Sequence, residues 1–186
     1  MLSEAMVRHV VGPEGARALI NVTLGAWEDY VNEGRPRFHR STRAAIIWDY
    51  MVTRADDDLC SMDGVRRDER HERPLYVLRE TIMIRPKMHD RQLLTRNYPT
   101  RAQWHVRRSG YFPQLDLPNV MFGYKLDAAE AGVEQCVITS PADEWIIDLD
   151  DLAAGNTVPT TAMIDMPDLD APWLALDALR FPSTGS

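Results

Sequence analysis

Only two cysteines, Cys60 and Cys136, occur in the 186 residues, and they do not form a CxxC pair. A disulfide framework therefore has no support, and the expected state is two reduced thiols in a cytoplasmic protein. No apolar run approaches the roughly 18 to 20 residues that a membrane span needs, so no membrane partner is expected. The first residues, Met1 to His9, carry an early acid and no long apolar block, which argues against a signal peptide. The five histidines (His9, His39, His71, His89 and His105) make no HxxxH, HExxH or HxH pair, so neither a metal nor a cofactor is expected. The phosphate-loop, GxGxxG and GxSxG patterns are also missing. An acid-x-Lys nuclease strand fails as well, because Arg85 stands two residues before Lys87, where a metal ligand would be needed.

What is present is ordinary apolar content, 45% of residues, in a chain whose length suits one main domain. Charge is unevenly placed. From Arg79 to Arg108, eight Arg or Lys face Glu80 and Asp90 alone, a surplus of six positive charges. From Asp116 to Asp177, thirteen acids face Lys125 alone, a surplus of twelve negative charges. The net charge of −7 hides this partition, so a basic face for an anionic partner is compatible with an acidic chain.

Taken in order, residues 1–12 read as a short helical arm, and Gly12-Pro13-Glu14-Gly15 starts a longer helix with proline at its first position. Its apolar stripe, from Ala18 to Val31, suits core packing. A basic linker follows from Arg35 to Arg40. Ser41 or Thr42 then caps a helix over residues 43–55, where Arg43 and Asp49 are candidates for a structural ion pair or site. Residues 56–73 are charge-dense and aperiodic and read as a surface loop or frayed helix end. Leu75 to Ile84 predicts one strand or a tight hairpin turning at Arg79-Glu80, and Pro86 marks a strand end or a sheet edge. Pro99 opens a helix to Gly110. Strands are expected over 119–127, 133–140 and 144–149 in an antiparallel meander.

These elements predict an α+β fold: N-terminal helices packed on a mainly antiparallel sheet of about four to five strands, with an acidic C-terminal tail. The expected divisions are a helical arm at 1–34, an α+β core at 35–152 and an acidic, proline-containing tail at 153–186.

Two functional classes follow from the basic segment. In the first, Arg85, Lys87, Arg91, Arg96, Arg101, Arg107 and Arg108 bind a protein or nucleic-acid partner. In the second, the same face holds RNA for metal-independent cleavage, with His89 and Tyr98 as candidate catalytic groups and the cations stabilising the scissile phosphate.

The ordered set Arg43…Ile46-x-x-Asp49-Tyr50-Met51, Ile84-Arg85-x-Lys87, Asn97-Tyr98-Pro99-Thr100 and Gly123-Tyr124-x-Leu126-Asp127 resembles a family of small actinobacterial and phage-borne proteins. The likeness spans about residues 40–149. Proteins of this kind are similar to the partner encoded beside a helix-turn-helix regulator fused to a zinc-metallopeptidase-like domain. The resemblance implies a toxin-like or regulatory component of a two-gene, toxin–antitoxin or phage-related module. A helix-turn-helix regulator would then be the cognate partner, with RNA or DNA as the other target class. It carries no catalytic mechanism.

Overall fold

The computed structural model describes residues 2–33, 38–68, 74–93, 111–112, 115–140 and 145–156. The expected helix from Pro99 to Gly110, residues 35–37 of the expected basic linker and the tail beyond Asn156 lie outside the described residues.

Helix α1 spans Glu4–Asn32 and is two helices joined at a kink. Ser3 caps the first, its hydroxyl accepting from the Met6 amide at 3.2 Å. Gly12 breaks the helix with φ 62° and ψ 176°, a conformation open essentially to glycine, and Pro13 restarts it. The Gly-Pro start expected from the sequence is thus present inside one continuous element. Helix α2 spans Arg40–Arg54. Its cap is His39, whose ring accepts from the Ser41 amide, so the helix starts earlier than a Ser41 or Thr42 cap implies. It continues into a π-helical turn, Ala55–Leu59. There the Asp56 carboxylate accepts from the Tyr76 hydroxyl at 3.0 Å and pairs with Arg67, tying the helix end to the sheet.

The strands are β1 (Val65–Arg67), β2 (Tyr76–Leu78), β3 (Ile82–His89), β4 (Tyr111–Phe112), β5 (Leu115–Leu126), β6 (Val133–Ser140) and β7 (Trp145–Asp148), followed by the short helix α3 (Leu149–Ala153). Six of them form a sheet in the order β1-β2-β3-β5-β6-β7, and β4 pairs with β5. The α+β class holds, with slightly more strands than expected. The β2–β3 hairpin turns at Arg79 and Glu80, both left-handed with φ 49° and 50°, and the Thr81 amide donates to Leu78 O at 2.9 Å. Three residues, Arg79 to Thr81, thus join the paired Leu78 and Ile82, with two consecutive left-handed residues made here without the usual Asn-Gly.

The expected antiparallel meander is β5–β6–β7; beside it, β3 and β5 run parallel, with Arg85 opposite Met121 and Lys87 opposite Gly123. Parallel neighbours need a long crossover, and residues 90–114 supply it. Alternation along the strands gives the sheet two buried faces. Ile84, Val120, Phe122, Ile138 and Ile147 pack with α1 and α2 in one apolar cluster. On the other face Val77 and Met83 form a second cluster, and Val137 and Ile146 form a third, packed by Leu93. Val7, Leu19, Val22 and Ala26 of α1 belong to the main cluster. The expected 1–34 arm is therefore part of the core, because its apolar stripe and the sheet bury each other.

Candidate functional site

Strand β2 covers β3 only as far as Ile84, opposite Tyr76. Among the described residues, no strand pairs with that side of β3 from Arg85 to His89. Helix α2 runs alongside instead. Between them lies a cleft of about 420 Å³, walled by Ala44, Ala45 and Trp48 of α2 and by Arg85, Pro86, Lys87 and Met88 of β3, with Pro74. The Trp48 indole N–H donates to Pro86 O at 3.2 Å, so that carbonyl points out of the sheet toward α2. Pro86 itself has no N–H, which is why a strand edge tolerates it and why its sequence signal of an edge is correct. The cleft thus combines apolar walls, an indole, an open backbone edge and the half-buried Lys87.

Among the described residues the expected basic face is not assembled as a surface. Alternation sends Arg85, Lys87 and His89 to the same side of β3, where Arg85 and His89 are buried and Lys87 is half-buried at the cleft. Arg85 is 5% exposed and His89 is 1% exposed. His89 Nε2 lies 3.0 Å from Thr139 Oγ1 of β6. Burial pushes its imidazole down to about 4; the charge of Asp90 opposes this and that of Lys87 reinforces it. A neutral, enclosed ring cannot reach a substrate as general acid or base, so His89 is corrected from candidate catalyst to interior hydrogen-bonding residue. Arg91 does lie on the surface, its guanidinium donating to Ala128 O at 3.1 Å. Arg96, Tyr98, Arg101, Arg107 and Arg108 lie outside the described residues.

The Arg43–Asp49 pair is also corrected. Asp49 is exposed on α2, and its carbonyl accepts from the Thr53 hydroxyl at 3.1 Å. Arg43 instead pairs with Glu130 in the β5–β6 turn. Six residues apart, Arg43 and Asp49 fall on different faces of a helix with 3.6 residues per turn, which is the physical reason they do not meet.

Both cysteines are free thiols. Burial raises both, Cys136 to about 12; at Cys60 the nearby Arg67 pulls the other way and is outweighed by burial and the charge of Asp56.

Sequence reading did not single out Trp48, Arg40, Glu130 or Tyr124 as site residues. Trp48 carried a faint signal, a large aromatic on a helix flank beside two alanines. Glu130 carried none, since an acid in a hairpin turn is commonplace.

Comparisons with protein families, with curated proteins and with solved structures find no match. The geometry above is what bears on function.

Proposed function

We propose that this chain is an interaction protein that takes an extended, acidic segment of a partner protein into the cleft between α2 and the open edge of β3. The observation that carries this is the cleft itself, lying along a strand edge that no described strand covers. Extended segments add to such edges through main-chain hydrogen bonds, while pockets beside the edge select side chains. Here Trp48, Met88 and the two alanines favour an apolar side chain, and Lys87 favours a carboxylate. Arg85 and Lys87 are the two positive residues of β3, and among the described residues no acid lines the cleft.

The family resemblance adds a context: a toxin-like or regulatory half of a two-gene module whose cognate partner is a helix-turn-helix regulator. Binding to RNA or DNA through the same face is the competing target class. Metal-independent RNA cleavage has lost His89 as its proton-transfer group, and Tyr98, its other candidate, lies outside the described residues.

The test is capture of the neighbouring gene product by the wild type, by Lys87→Glu and by Ala45→Arg. Ala45 is exposed on the cleft wall, so the larger side chain fills the cleft without entering the core. The expected result is capture by the wild type and loss of about tenfold or more in affinity in both variants, with unchanged melting temperatures. Undiminished capture by both variants rejects the cleft. Lost RNA retention with intact protein capture would move the reading to nucleic acid.

A further inference from the structure

A second feature lies at the start of α2 and is independent of the cleft reading. Arg40 and Arg43 stand in the first turn of that helix, at the positive end of its dipole, and the turn holds no acid of its own. Both guanidinium groups converge on a single carboxylate, Glu130 of the β5–β6 turn. Arg43 Nη2 pairs with Glu130 Oε2, and Arg43 Nη1 donates to the Glu130 carbonyl at 3.4 Å. Arg40 Nε lies 3.3 Å from Glu130 Oε1, without the alignment of a hydrogen bond.

The pairing leaves donors over. Arg40 Nε, Arg43 Nε and the Tyr124 hydroxyl are buried without hydrogen-bond partners. Tyr124 is 1% exposed, on the sheet face that α1 and α2 cover. Burial pushes its phenol up, so it stays protonated and able to donate, and the charges of Arg43 and Arg40 are near enough to pull the other way. The neighbouring Asp127 carboxylate is already engaged, accepting from the Ala131 amide at 2.9 Å. Two cations, a helix start and two unused guanidinium donors therefore meet one monovalent acceptor, and the unpartnered Tyr124 hydroxyl lies near enough to feel both arginine charges. Buried polar groups without partners are few in folded proteins, and each calls for an explanation such as an ion that completes the set.

Glu130 is also held in a left-handed conformation with φ 55°, one that non-glycine residues seldom adopt. Its side chain is 31% exposed and that of Arg40 37% exposed, so the position opens to solvent.

We propose that Arg40, Arg43, the Tyr124 hydroxyl and the first turn of α2 form a binding site for a phosphate group, and that Glu130 is the resident carboxylate which competes for it. A phosphate dianion matches both cations and offers three or more acceptor oxygens, where a carboxylate offers one charge and two oxygens. Planar guanidinium groups and helix starts both suit it.

The experiment is calorimetric titration of the full chain with inorganic phosphate, against sodium chloride at matched ionic strength. Glu130→Gln removes the competing charge and keeps the side-chain length. The expected result is weak phosphate binding by the wild type, binding about tenfold tighter by Glu130→Gln, and loss of binding when Arg43→Met is added. Should Arg43→Met fail to fold, Arg40→Met replaces it, since that side chain is the more exposed of the two. A folded Glu130→Gln variant that responds to phosphate no more than to chloride overturns the site. Phosphate binding that survives the arginine substitution also overturns it. Neither result bears on partner capture at Lys87.

Discussion

Burial holds the His89 imidazole neutral down to about pH 4, while in the unfolded chain it takes a proton near 6.5. Between those values the unfolded state binds more protons, so stability falls as pH drops from about 6.5 to about 4 and levels off below. The benefit is fully present above 6.5. The gap corresponds to roughly 3 kcal/mol if the whole shift is realised. Urea unfolding at pH 7, 5.5 and 4.5 is expected to show this slope in the wild type. In His89→Gln, which keeps a polar group beside Thr139, that part of the slope should vanish. An equal slope in both proteins would mean the ring is solvated after all. The residue scale is where the sequence misled most: a histidine following Arg85 and Lys87 looks like part of a basic patch. A period of two places it correctly on their side of the strand, but nothing local says that the ring is buried there.

At the scale of elements, the parallel β3–β5 pair holds in place the strand that borders the cleft. It brings Lys87 opposite Gly123 so closely that a Cβ added at Gly123 would lie 1.6 Å from Lys87 O. No rotamer relieves a contact to backbone, so any side chain at 123 must push the two strands apart. Gly123→Ala is expected to cost more than about 3 kcal/mol, roughly 10 °C in melting temperature for a chain of this size. Thermal unfolding followed by circular dichroism checks this, and a drop of less than 3 °C would show that the strands separate easily. Sequence patterning found β3, β6, β7 and the Arg79-Glu80 turn, because each has a strand period or a hairpin-length connection. It could not choose a parallel partner for β3, since that choice is made by residues far apart in the chain.

At the scale of the whole molecule, the N-terminal segment closes the core instead of extending from it. Leu2, Val7, Val10 and Val11 are buried, and Trp145 of β7 donates its indole N–H to Leu2 O at 3.2 Å. Arg8 and Arg17 reach Asn156 O and Ala153 O, at 3.4 and 3.0 Å, joining α1 to the end of the described chain. Removing residues 1–11 is expected to lose at least about 4 kcal/mol from apolar burial alone. The readout is a melting temperature lower by roughly 10 °C. A truncated chain that melts within 2 °C of the full one would restore the view of a detachable arm.

Composition and periodicity alone determined the α+β class, the helix restart at Pro13 and the segregation of charge along the chain, and narrowed Leu75–Ile84 to one strand or a hairpin and Pro86 to a strand end or an edge. These are local properties, set by side-chain period, by backbone limits at glycine and proline, and by counting. Only the tertiary structure decided that Arg85 and His89 face inward, that Arg43 meets Glu130 and not Asp49, and that α2 leaves a cleft beside β3. Each of those depends on which distant segment lies against which, and burial is a property of the neighbour as much as of the residue.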